Sequence, residues 1–256
     1  MKNKEYLYHY TSLETLALIL KHKTIRFSRL DLVDDPEEII TKDYGNLGRF
    51  MFVSCWTDSK EESIPMWKMY SSDLKGVRIK LPKLPFQEYT IEQPERKSKL
   101  TTYIDPLLLG FHRNYTVVPY YDNLLIDIIY TDNIKLLFPQ IAKTEHSLDF
   151  SNLGKYKRTV WKFQKEKRYI LFAYPWGQEE LLNRINQGDR LPPLDKLKYG
   201  APNNRHIDFT IDNDKFKEME IILGPKSTEA DKIIVNLLVK EFNPEAIIMK
   251  SVIKIV

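Results

Sequence analysis

A chain of 256 residues, 43% of them hydrophobic, can bury a sizeable core as one large domain or two small ones. Charged residues make up 29%, both signs are interspersed and the formal net charge is +4, so nucleic acid is allowed as a substrate but no dense cationic stripe points to it. Cys55 is the only cysteine, which excludes an intrachain disulfide and argues against a thiolate metal site. No apolar run approaches a membrane span and the first residues lack a signal-peptide core, so the expectation is a soluble cytoplasmic protein with no membrane partner.

Taken in order, residues 5–29 read as strand, helix, strand. An aromatic-rich strand ends in His9-Tyr10-Thr11. Thr11 with Glu14 makes a Thr-x-x-Glu capping box, and Leu13, Leu16, Ala17 and Leu20 form one apolar helix face. Ile25 and Phe27 alternate with Arg26 and Ser28 in a second strand. Asp31 to Asp43 is an acidic turn in which Asp35 caps a helix starting at Pro36. Phe50 to Trp56 reads as a buried strand, Ile64 to Tyr70 as a helix capped by Ser63, and Val77 to Leu81 as an alternating strand. Residues 82–123, with several prolines and a charged run from Glu92 to Lys99, suggest an insertion over the sheet.

Further strands are expected at Leu124–Tyr130, Tyr169–Ala173, His206–Ile211, Met219–Leu223, Ala246–Met249 and Val252–Val256. Helices are expected at Ile134–Ile141 and Gln178–Gln187, with a loop over Gly188–Asn204. A further helix capped by Ser227 would have Ala230, Ile233, Ile234, Leu237 and Leu238 on its apolar face. Strands outnumber helices and do not alternate regularly with them. The expected class is α+β, a split mixed or antiparallel sheet with flanking helices. It would be a single domain over 1–256 with a strand-helix-strand extension at about 216–256.

The motifs His9-Tyr10-Thr11, Arg26-Phe27-Ser28, Asp34-Asp35-Pro36-Glu37, Phe52-Val53-Ser54-Cys55-Trp56, Met66-Trp67 with Tyr70, Gly76-Val77-Arg78, Trp161 with Gln164-Lys165-Glu166-Lys167-Arg168, and Ile222-Leu223-Gly224-Pro225 run through most of the chain. Together they resemble a bacterial family that includes AbiGi-type abortive-infection proteins. The opening unit resembles the ADP-ribosyltransferase-like superfamily. That resemblance implies an NAD-consuming mono-ADP-ribosyltransferase, a toxin or antiviral defence effector, with NAD as substrate. It also implies a protein or nucleic-acid acceptor and an antitoxin or defence-system partner.

It further implies that Glu166 is the catalytic carboxylate and Gln164 its partner, orienting the nucleophile. A strand would place both on one face, and a carboxylate suits an oxocarbenium-like transition state. The plain alternative is a surface charge in QKEKR. His9 would donate to a ribose hydroxyl and Thr11 hold an amide or phosphate, unless Thr11 is only a cap and His9 a strand histidine. Tyr10, Ser54, Trp56, Trp67 and Tyr70 would wall a flat ring or be core, Ser28 would match the superfamily's polar residue on the second strand, and Arg29 would meet a pyrophosphate, although an exposed arginine explains the latter. Arg168 could pair with an acid or reach the cofactor. Two other readings stand beside the transferase. One is a catalytically inactive nucleotide- or partner-binding module. The other is a metal-dependent nuclease built on Asp31, Asp34, Asp35, Glu37 and Glu38, although capping explains Asp35 and Glu37 and no metal site is expected.

Overall fold

The structure is a computed structural model, and it describes residues 5–93, 98–106, 115–119, 124–143, 145, 148–188 and 194–255. It is α+β. Among the described residues ten strands form one large sheet: β1 (Tyr6–Thr11), β2 (Thr24–Arg29), β3 (Met51–Thr57), β4 (Val77–Pro82), β5 (Thr116–Pro119), β6 (Leu125–Asp127), β7 (Glu166–Tyr174), β8 (His206–Thr210), β9 (Glu220–Leu223) and β10 (Ile247–Lys250). The main path runs β6-β7-β3-β1-β4-β9-β10; β5 joins β7, and β2 links β3 to β8. Every pair in it is antiparallel except β9 and β10. A right-handed crossover is the rule for a parallel pair, and here the connection is the helix Glu229–Phe242.

The sheet divides at β3. Its start bonds to β2, with Ser28 opposite Val53 and Arg29 opposite Phe52. Its end meets β1 only where Tyr8 lies opposite Thr57. β1 and β2 thus meet β3 at opposite ends, and α1 (Leu13–His22) is the helix that connects them. Leu16 and Leu20 of α1 are fully buried on the sheet face that carries Leu7, Phe27, Trp56 and Tyr169. The opposite face of β3 and β7, with Val53, Ile170 and Phe172, packs on Leu30, Phe50, Phe150 and Leu153. A third, smaller cluster joins Tyr10 to Trp67 of α2 (Ile64–Tyr70) and to Leu74.

Several expectations are corrected. The cap of α1 is Ser12, whose hydroxyl accepts from the Thr15 amide at 3.2 Å, because Thr11 is still paired in the β1–β4 ladder. No helix starts at Pro36. Asp35 accepts from the Glu37 amide at 3.0 Å, but the chain makes a turn that delivers Glu37 and Glu38 to cations. The 124–130 strand divides into β6 and a bridge in which Ile129–Tyr130 runs parallel to Tyr156–Lys157. The next helix is one turn, Ile134–Leu137, ending before Pro139, whose ring disfavours helical geometry at Phe138.

Within 82–123, Phe86 and Ile104 enter the main core and β5 extends the sheet, so the segment does more than cover it; residues 94–97, 107–114 and 120–123 lie outside the described residues. Helix α3 covers Gln178–Asn186, and the 188–204 loop contains a helix at Leu194–Tyr199, with 189–193 outside the described residues. Residues 252–255 form no strand, and Val256 lies outside the described residues. Helix α4 (Glu229–Phe242) is capped by Thr228 with Asp231, not by Ser227. It buries Val235 and Val239 while Ile233, Ile234 and Leu237 are exposed.

Candidate functional site

A cleft of about 240 Å³ lies where the sheet divides. His9 and Tyr10 border it from β1, Ser28 from β2, Cys55 and Trp56 from β3, Met66 and Tyr70 from α2, and Lys157, Gln164, Glu166 and Arg168 from the segment entering β7. Asp34 and Val33 form part of its rim. Among the expected site residues, His9, Tyr10, Ser28, Trp56, Tyr70, Gln164 and Glu166 therefore meet.

Thr11, Arg29, Ser54 and Trp67 do not border this cleft. Thr11 is buried opposite Val77. Arg29 is occupied within the protein: Asp31 holds its guanidinium at 2.7 and 2.8 Å and the Pro202 carbonyl takes a third bond at 2.9 Å. Ser54 accepts the Trp56 indole N–H at 3.0 Å. Trp67 is fully buried, edge-on to Tyr10 at 4.9 Å, and its indole donates to Glu62 at 2.9 Å.

Gln164 and Glu166 do not alternate along a strand. Gln164 ends a 3-10 helix (Thr159–Gln164), and Lys165 adopts a left-handed conformation at φ 45°, ψ 51° before β7 begins at Glu166. The Thr57 hydroxyl donates to the Lys165 carbonyl at 2.9 Å, which fixes this turn, and the turn sends both side chains inward. Both ends of the Gln164 amide are engaged. Its oxygen accepts from Lys157 Nζ at 2.9 Å and its nitrogen donates to Tyr70 Oη at 2.6 Å. Gln164 thus positions Tyr70 and Lys157, and its amide is not left to orient an incoming nucleophile.

Glu166 is buried, not a surface charge. Arg168 Nε donates to its Oε1 at 2.7 Å and Lys157 Nζ to its Oε2 at 2.9 Å. Glu38 closes the group, with one oxygen 3.1 Å from Lys157 Nζ and the other bonded to Arg168 Nη1. Lys157 thus donates to Gln164 and Glu166, while Glu38 Oε1 lies within ion-pair distance of its ammonium without a hydrogen bond. Arg168 Nη1 also reaches the Gly154 carbonyl at 3.0 Å, whereas Nη2 is buried with no partner.

Two acids and two bases make this group neutral. Burial alone would raise the Glu166 pKa, but Arg168 and Lys157 overcome it and hold the carboxyl well below its ordinary range. Burial likewise works against the Lys157 ammonium, yet Glu166 and Glu38 keep it above the usual lysine range. Cys55 lies beside Glu166, and burial followed by the Glu166 charge pushes its thiol up, so it is no nucleophile. Sequence reasoning missed Lys157, which belongs to no pattern there, and named Glu38 only as one of the acidic residues of the nuclease alternative.

His9 reaches the cleft differently from Glu166. Strands β1 and β7 are not neighbours, since β3 lies between them. Tyr8, Thr57 and Glu166 are directly paired in register and share a face, so alternation puts His9 on the other side with Leu7 and Trp56. Its ring packs 5.1 Å from Trp56 and borders both the cleft and a second hollow on the α1 side. Nδ1 is 2.8 Å from the Cys55 carbonyl, which only accepts, so Nδ1 carries the proton. Burial lowers the His9 pKa, and in the neutral ring Nε2 is an acceptor. His9 is therefore placed to accept from a ligand hydroxyl, not to donate to it.

Among the described residues no group of three His, Cys, Asp or Glu side chains is placed to hold a metal ion, and no helix is long and apolar enough to cross a membrane. Compared with known proteins, the chain matches no family model, no curated sequence and no solved structure.

Proposed function

We propose that the protein is an NAD-consuming mono-ADP-ribosyltransferase or NAD glycohydrolase with an ADP-ribosyltransferase-like fold, acting as a toxin or anti-phage defence effector. One observation carries this reading: the division of the sheet gathers His9, Tyr10, Ser28, Trp56, Tyr70, Gln164 and Glu166 around a single cleft. Those residues come from five separate parts of the chain. With NAD in the cleft, the glycosidic bond between C1′ and the ring nitrogen breaks and its electron pair leaves on nicotinamide. Glu166 faces the positive charge that develops at C1′. An acceptor oxygen or nitrogen, or water, then bonds to C1′ and releases its proton.

A second reading is favoured by the engagement of both Glu166 oxygens by Arg168 and Lys157. In it the same cleft binds a nucleotide or partner without turnover. The nuclease alternative has less behind it, because Asp31 pairs with Arg29, Glu37 with Arg158, and Glu38 with Lys157 and Arg168. The deciding measurement is nicotinamide release from NAD by the purified protein, alone and with cell lysate. Release is expected, and Glu166→Gln should lower it by roughly 10²–10³ with little change in NAD affinity. NAD binding without release in either condition would select the binding module.

A further inference from the structure

The large sheet ends at β10, and among the described residues no strand pairs with its outer side. The Ile247 and Ser251 amides donate inward, to the Met219 and Leu223 carbonyls, at 3.0 and 2.9 Å. Alternation along the strand therefore turns the N–H and C=O groups of Ile248 and Lys250 outward, with the Ala246 carbonyl beside them. The Ala246 amide is already bonded to the Asn243 carbonyl at 3.0 Å.

Sheets commonly guard such an edge with a proline, a bulge or charged side chains. β10 reads Ile-Ile-Met-Lys, and Lys250 at its end is its only charge. Ile247 and Met249 are 56% and 37% exposed, on the face opposite Ile248, which packs against the main core. The chain that follows turns away from the edge. The Val252 amide donates to Glu62 at 2.9 Å, and Ile253 and Ile255 pack on Tyr10, Trp67 and Leu74. Among the described residues the edge is short, apolar and uncovered.

We propose that β10 is a self-docking edge, to which a second copy of this chain adds its own β10, antiparallel, about a two-fold axis. Setting Ile248 opposite Ile248 of the second copy uses the outward groups. Each Ile248 amide donates to the other's carbonyl, and each Lys250 amide donates to the Ala246 carbonyl across the axis. Ile247 then lies opposite Met249 on both sides of the axis, at the closer, non-hydrogen-bonded positions. Lys250 faces Ala246 and not its own copy, so no like charges oppose each other along the strands. Helix α4 leads back from β9 to β10 on the face that carries Ile248, so the axis sets its two copies antiparallel. The acidic first turn of each, with Glu229 and Asp231, then lies at the same end as the basic last turn of the other, with Lys240. This charge complementarity and the matched register favour a second copy over an unrelated strand. The pairing does not depend on what the cleft binds.

A short edge buries less than a standard interface, so the expected dimer is micromolar. In sedimentation velocity the 30.4 kDa chain should approach twice its mass toward the top of a range of about 1–100 µM. Met249→Glu sets a carboxylate against Ile247 across the axis and should raise the dissociation constant about tenfold. Lys250→Pro removes an outward amide while leaving the bonds to β9, and should weaken the dimer by a similar factor. Circular dichroism confirms that both variants are folded. Ile247→Cys mixed with Met249→Cys should give a disulfide-linked dimer under mild oxidant, because such opposed residues lie about 4.5 Å apart at Cα, and neither should link alone. A monomer throughout the range would overturn the proposal and leave the edge to an extended segment of another protein. A dimer that resists both Met249→Glu and Lys250→Pro would place the interface elsewhere and overturn it as well. Self-linking of Ile247→Cys alone would overturn the register.

Discussion

Removing one charge from the Glu38–Lys157–Glu166–Arg168 group leaves the opposite sign in excess where the side chains are at most 5% exposed. Glu166→Gln should therefore cost about 3–5 kcal/mol, as breaking a buried pair does, and Lys157→Met a similar amount. In the double variant Arg168 and Glu38 remain as a balanced pair, so its cost should fall well below the sum of the two. Chemical denaturation of the three variants measures the coupling, and strict additivity would show that the charges act independently. This test also separates lost catalysis from lost stability in Glu166→Gln. Acidity gives a second readout. The folded Glu166 carboxyl titrates below its unfolded value, so the unfolded chain takes up the proton first as pH falls. The stabilisation is complete above about pH 4.3 and is lost as pH falls from there toward about 2. Unfolding free energy should decline in that window, and Glu166→Gln should flatten the decline.

At the scale of elements, β1, β4 and β9 approach closely where Gly76 and Gly224 stand. Gly76 precedes β4, and a Cβ there would lie 2.2 Å from the Thr11 carbonyl oxygen, while one on Gly224 would lie 2.3 Å from that of Leu74. Both obstacles are backbone, which cannot swing aside as a side chain can. Gly76→Ala should therefore destabilise the protein by about 1–3 kcal/mol, measured by denaturant midpoint. A neutral effect would mean that β1 shifts freely at Thr11, and the cleft walls with it. Helix α4 shows the limit of pattern reading. Ala230, Ile233, Ile234, Leu237 and Leu238 make one apolar stripe, while Val235, Leu238, Val239 and Phe242 make another. The second faces the core, and Ile233, Ile234 and Leu237 stay in solvent.

Across the whole molecule, the sequence by itself determined what local periodicity and capping can reach. The α+β class, the first strand-helix-strand unit, and strands expected at 50–56, 77–81 and 169–173, which the structure places at Met51–Thr57, Val77–Pro82 and Glu166–Tyr174, follow from apolar runs, alternation and turn residues that act over a few positions. Helix boundaries slipped by a residue where two hydroxyls compete for one cap, as Thr11 and Ser12 do. The candidate site was legible in part, because polar and aromatic residues at the ends of buried strands stood out from their surroundings. What only the tertiary structure decided was which of them meet. Trp67 and Tyr70 stand three apart on one helix, yet one is core and the other borders the cleft, since the sheet covers only one of them. Lys157 carries no local signal, and Glu38 only that of an acidic turn. Their roles come from a turn and a short bridge that bring Glu38 to a lysine, a glutamate and an arginine lying between positions 157 and 168, in one buried place. There each charge is tolerated only because the others are present, and no stretch of sequence contains that condition.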